Sequence, residues 1–158
     1  MIELLVVCLL ISIMLVVSVP SLRDALLTDE LKATTRKIIG TVQGLREEAV
    51  RGQQPYMLYF DMEKKRIWYE KDTEIQQDGY EEKKTKTSIQ VPSSVRTMDV
   101  WTKSDGKQSQ GTAGLWISRQ GYMDMTVIHL TDESNTMSIF FSPFLGSIKV
   151  VDGYADLE

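Results

Sequence analysis

Basic residues are missing from the start of this 158-residue chain, in which no lysine or arginine precedes Arg23. A secretory signal peptide opens on a basic stretch and closes on a small-residue cleavage site. Ser18-Val19-Pro20 is a poor such site, so that reading is not favoured. Cysteine is nearly absent as well. Cys8 stands alone inside an apolar run, which excludes an internal disulfide and suits a small hydrophobe better than a nucleophile. Histidine is as scarce. His129 has no second histidine to join it in most metal or triad schemes, and its place between Ile128 and Leu130 argues for a structural or surface role. There is no glycine-rich phosphate loop, no nucleophile elbow and no cysteine cluster. The net charge of −4 and a pI near 5.1 disfavour a strongly basic nucleic-acid surface. Nothing in the sequence calls for a cofactor, a metal or catalysis, and the chain does not read as an enzyme. A calcium site near Asp72, Asp78 or Asp105 has no ligand pattern to support it.

What the chain has instead is asymmetry. Its first 19 residues carry a single charge, Glu3, and the rest is polar and charged. Residues 4–19 form an apolar run slightly short of the ~20 residues that an isolated span needs. Tilt, or helix continuing past Pro20, makes up the remainder. A buried core helix explains the apolarity but not the glutamate, whereas a membrane anchor with one carboxylate near its tip explains both. An acidic side chain at mid-bilayer costs ~2.5–3.5 kcal/mol. Glu3 therefore either snorkels to the interface or awaits a cationic partner, and a helix N-terminus favours it modestly.

Ser21 to Arg51 continues the helix. Leu31, Thr35, Ile38, Val42, Leu45 and Ala49 recur at steps of four and three, which places them on one face. Pro20 removes a backbone hydrogen bond and is expected to bend the helix. Gly40 and Gly44 either weaken it, by roughly 1 kcal/mol each, or permit close approach to a sheet. A helix over residues 2–51 is roughly 75 Å long at 1.5 Å per residue. That exceeds the diameter of a small domain, so its first half must pack on lipid or on other subunits. Gly52 and Pro55 end it.

The remainder reads as strands. Tyr56 to Asp61 and Arg66 to Lys71 flank residues 62–65 as a hairpin. Strands are also expected at 87–91, 95–102, 115–118, 124–131, 136–142 and 147–151, with a hairpin turn at 132–135. Residues 71–87 and 103–111 read as exposed loops. Trp68, Trp101, Trp116, Phe140 and Phe141 are expected in the core or half-buried on the sheet. One long helix followed by antiparallel strands makes an α+β fold, in which the helix packs on an antiparallel sheet or sandwich. The organisation expected is a transmembrane or filament-core half, 1–20, and a globular part, 21–158. The latter comprises the amphipathic helix 21–51 and the β-rich region 55–158.

Met1-Ile2-Glu3-Leu4-Leu5-Val6-Val7 resembles the type IV prepilin signature, phenylalanine-threonine-leucine-isoleucine-glutamate before an apolar run, with Met1 where leucine is usual. Glu3 matches that glutamate, and Pro20 stands at the interval of the family's kinking proline. The stretch 45–52, followed by Tyr56 to Phe60 and Trp68, is similar to the general secretion pathway protein H family of minor pseudopilins and its pilus relatives. Gly121, Ser138 to Phe141 and Gly146 to Val150 fit the same pattern. The resemblance implies a single-pass inner-membrane protein with a periplasmic head, assembled into a pseudopilus or type IV pilus near its tip. Implied partners are major and minor pilins or pseudopilins, an inner-membrane assembly platform, and a prepilin peptidase acting on a full-length precursor. That precursor is expected to carry a basic leader ending in glycine, then phenylalanine and threonine, ahead of Met1. The glutamate's family role, pairing with a neighbour's amino terminus, falls to Glu3. A second reading is a tethered module that captures DNA or another ligand. Its candidate residues are Lys83, Lys84, Lys86, Lys103 and Lys107, and overall acidity makes nucleic acid the lesser expectation.

Overall fold

The computed structural model describes residues 2–72, 87–143 and 147–156, and the side chains of residues 2–5, 15–29 and 87 fall outside that description. One helix, α1 (Ile2–Gly52), accounts for 51 residues and runs through Pro20 without a break in its assignment. It ends one residue later than the glycine signal suggests. Gln53, not Gly52, takes the left-handed conformation, with φ 50°, and the amide of Gln54 closes the end on the Ala49 carbonyl at 3.2 Å.

Among the described residues nine strands follow: β1 (Tyr56–Asp61), β2 (Arg66–Lys71), β3 (Thr87–Gln90), β4 (Arg96–Thr102), β5 (Gly106–Gln108), β6 (Thr112–Ile117), β7 (Thr126–Thr131), β8 (Thr136–Phe141) and β9 (Ile148–Asp152). They build two antiparallel sheets, ordered β3-β2-β1-β6 and β5-β4-β7-β8-β9. The β1–β2 hairpin falls where the sequence puts it. Asp61 fixes its turn by accepting the amides of Glu63 (3.1 Å) and Lys64 (2.8 Å). The Asp132 carboxylate does the same between β7 and β8, accepting from Ser134 (2.7 Å) and Asn135 (2.6 Å).

All six residues of the expected helix face are buried, from Leu31 at 1% exposure to Ala49 at 0%. They pack against β6, β7 and β8 and join Leu58, Phe60, Ile67, Leu115, Ile128 and Ile139 in one core. Each fully buried Leu or Ile contributes about 1.5–3 kcal/mol. Thr35 follows the apolar spacing because its hydroxyl reaches the Met137 sulfur at 3.6 Å inside the same contact.

Three expectations are corrected. Gly40 and Gly44 do not bring the helix near a sheet, because a Cβ on either meets nothing within 4 Å. Residues 103–111 are not a plain loop: β5 pairs with β4 inside them, an all-polar edge strand with no apolar residue to betray it. Trp116 is 48% exposed on the outer face of β6, and its Nε1 donates to Asp72 at 2.9 Å. Phe141 is buried, and Trp68, Trp101 and Phe140 are half-buried. Of the expected 71–87 loop, residues 73–86 lie outside the described residues.

Candidate functional site

The helix divides into two parts with different surroundings. From Leu31 to Ala49 the apolar face of the helix is enclosed by the sheets, while Val50 is 46% exposed. Near the other end, Val6, Val7, Leu9, Leu10, Ile11, Ile13 and Met14 are 50–74% exposed, and Cys8 and Ser12 between them are exposed too. Apolar exposure this dense goes all round the helix, so the segment has no polar face to turn to water. The helix ahead of Leu31 is about 43 Å long at 1.5 Å per residue. A domain of ~100 residues has a radius of gyration near ~13 Å. The stretch therefore reaches well beyond anything the sheets could cover. Among the described residues, no helix is long and apolar enough to cross a membrane. The side chains of Glu3 and Pro20 lie outside the described residues.

The sheets end of α1 is fixed by polar contacts as well as by packing. Arg46 Nε donates to the Gly121 carbonyl at 2.8 Å, tying the helix to the turn before β7. The Tyr56 hydroxyl donates to Glu48 at 3.0 Å. Burial, assisted by that carboxylate, pushes the phenol up to about 12 and keeps it a donor.

On the outer face of the five-stranded sheet, Asp99, His129 and Ser138 stand in register across β4, β7 and β8. The row contains the residue types of a hydrolytic triad, but not its geometry. His129 Nδ1 meets Asp99 Oδ1 at 2.7 Å, while Nε2 lies 3.0 Å from the Ala155 carbonyl, which can only accept. Ser138 Oγ donates to the Gly153 carbonyl at 2.7 Å and accepts from the Ala155 amide at 3.0 Å. The Tyr154 ring stacks on the imidazole, with centroids 3.9 Å apart. The row is thus a latch that holds residues 153–155 on the sheet, and every polar atom a nucleophile or base would need is already engaged. His129 is 1% exposed, which selects the structural alternative over the surface one.

The lysines of the ligand-capture reading are only partly visible. Lys83, Lys84 and Lys86 lie outside the described residues. Lys107 sits on β5 beside Tyr154 and 3.6 Å from Asp99, and its hydrogen bond to Tyr154 raises its pKa. Lys103 is exposed at the end of β4. Lys107 is therefore occupied by the latch rather than presented with Lys103. Among the described residues, no three His, Cys, Asp or Glu side chains are grouped to hold a metal ion, and Asp78 of the suggested calcium site is outside them. Asp105 accepts from the Thr102 hydroxyl, at 3.4 Å.

A second surface feature went unnoticed in the sequence. Met57, Tyr59, Gly114 and Trp116 on the four-stranded sheet, with Tyr122, Met123, Asp105 and Asp124 from adjoining turns, line an open groove of about 500 Å³. Its signal was the exposed parity of Trp116, which the count of aromatic residues in strands did not resolve.

A long helix, its latter half laid on two antiparallel sheets, is the fold of the minor pseudopilins. Two solved structures of one such protein, the minor pseudopilin EpsH of the Vibrio cholerae type II secretion system, superpose on it. The first gives a TM-score of 0.60 at 15% identity over 81% of this chain and 98% of that one. The second gives 0.56 at 14% identity over 78% and 97%. No family model and no curated protein matches the sequence.

Proposed function

We propose that this chain is a structural subunit of a secretion pseudopilus or related pilus, a minor pseudopilin that assembles through its N-terminal helix and performs no catalysis. The observation that carries the reading is the row of exposed apolar side chains from Val6 to Met14, on a helix whose face from Leu31 to Ala49 is enclosed by the sheets. Residues 1–20 form the filament-core half, first held in the inner membrane and then packed against the helices of neighbouring pilins or pseudopilins. Residues 21–158 carry the periplasmic head. The EpsH-like fold supports the secretion class. A position near the filament tip, an assembly platform in the membrane and a peptidase acting on the full-length precursor follow from the same reading.

Glu3 pairs with the amino terminus of an adjacent subunit in this scheme. Glu3→Ala leaves that amine unpartnered in an apolar setting, which costs about 3 kcal/mol per contact, on the order of a hundredfold in association. The test is co-purification of the precursor-derived variant with assembled filaments. Strong loss of incorporation with an unchanged head fold is expected. Incorporation at the native level removes the role assigned to Glu3.

A further inference from the structure

The groove on the outer face of the four-stranded sheet has a chemistry of its own. Trp116, Tyr59 and Tyr122 contribute aromatic surface to its walls, and Met57 and Met123 contribute polarizable apolar surface. Two carboxylates, Asp105 and Asp124, stand at its edge, and a third, Asp72, accepts the Trp116 indole hydrogen. Among the described residues that line it, none is basic. Gly114 faces Tyr59 across the β1–β6 ladder, where a Cβ would lie 3.5 Å from the Met57 sulfur and 3.7 Å from the Tyr59 ring.

Each of these features favours a positive charge. The quadrupoles of indole and phenol rings attract a cation placed over their faces, most strongly for tryptophan. Nearby carboxylates add an attraction that falls with salt. The indole's bond to Asp72 holds the ring in place in advance, so less ordering is needed on binding. The groove is open along its length and does not enclose a small ion. It therefore suits a cation carried on a chain that also contacts the flanking methionines.

We infer that this groove is a docking site for an arginine or lysine side chain presented by a protein partner, an interaction surface separate from the assembly helix. Charge complementarity selects that occupant: the aromatic walls tolerate many apolar groups, but Asp105 and Asp124 at the edge, with Asp72 on the indole and no basic residue among the described lining, disfavour an acidic or phosphorylated one. The Arg66 guanidinium on the same sheet is already placed over Trp68, which stacks on Tyr59.

The test is an NMR titration of the isotope-labelled full chain in detergent micelles, following the Trp116 indole N–H. Two short peptides are compared, one carrying arginine and the other citrulline, which has the same shape and no charge. The arginine peptide is expected to shift the Trp116 signal saturably, with affinity that falls as salt is added. The citrulline peptide is expected to bind about tenfold more weakly. Asp105→Asn should weaken arginine binding severalfold. For the Trp116 variants, which lack the indole N–H, binding is followed through the backbone amides of Tyr59 and Gly114 in the same groove. Trp116→Phe, which keeps an aromatic face and loses the Asp72 bond, should retain most of it, and Trp116→Ala should abolish it in a chain whose remaining spectrum is unchanged. Equal binding of the two peptides, or no saturable shift with arginine, overturns the inference. Either result leaves the helix-assembly reading standing, because the titration reads the groove alone.

Discussion

Removing the His129 imidazole takes a contact from three partners at once: the Asp99 carboxylate, which keeps only the Tyr154 hydroxyl and Lys107 on its other oxygen, the Ala155 carbonyl and the Tyr154 ring. Asp99 and His129 are buried, at 3% and 1% exposure, so water replaces the lost bond to the carboxylate poorly, whereas Tyr154 is exposed. His129→Ala is expected to cost about 2–4 kcal/mol, read as a lower denaturant midpoint, and to make residues 153–156 accessible to protease. Lys107→Ala, on the exposed rim of the same cluster, is expected to change stability little. A His129→Ala variant as stable as the parent, with the segment still protected, would remove the latch from the account. The sequence made His129 readable as a strand residue with a structural or surface role, and alternation put it on the face opposite Ile128 and Leu130 without saying whether that face is covered. Its partner Asp99 was not readable, because the pairing depends on β4 lying beside β7, some thirty residues apart. A lone carboxylate set between Met98 and Val100 was the only local sign.

Among the elements, the helix was the most legible. Its seam repeats at steps of four and three, a spacing that only a helix uses, and all six predicted contacts are buried. The hairpin of β1 and β2 was legible for a similar reason, since alternating apolar residues bracket a charged turn. β5 escaped because Gly106-Lys107-Gln108 has no apolar residue, and an edge strand need not have one. The glycines separate into two kinds. Gly44 lies on the open side of α1 in a helical conformation, so Gly44→Ala should raise stability by about 0.5–1 kcal/mol. Gly121 has φ 77°, and a Cβ there comes 3.0 Å from the Val50 side chain that packs the helix end. Gly121→Ala should therefore lose about 1–3 kcal/mol. Thermal denaturation of the two variants side by side checks the contrast, and a loss at Gly44 would show that the outer helix face has a contact within the chain.

At the scale of the whole molecule, a rod outreaching its head could be read from the sequence, and so could the α+β class. The order of strands in the two sheets could not, since the β1–β6 and β4–β7 pairings join distant segments and leave no local pattern. The division of the helix predicts independent behaviour of its ends. A chain beginning at Glu30 keeps every described core contact, including the Glu30–Ser94 hydrogen bond. It should be monomeric, with an unfolding free energy within about 0.5 kcal/mol of the full chain. All three tryptophans lie in the head and report its unfolding. A collapse of the head on truncation would show that residues 1–29 belong to its core.

The seam between α1 and the sheets has a mechanical consequence. If the free end of the rod is gripped, a pull along its axis reaches the head through the contacts from Leu31 to Ala49 and the Arg46 bond to Gly121. These lie parallel to the pull, so they share the load in shear and yield together, whereas a perpendicular tug would peel them one at a time. The head is thus fastened most firmly against the direction in which an extending fibre would drag it.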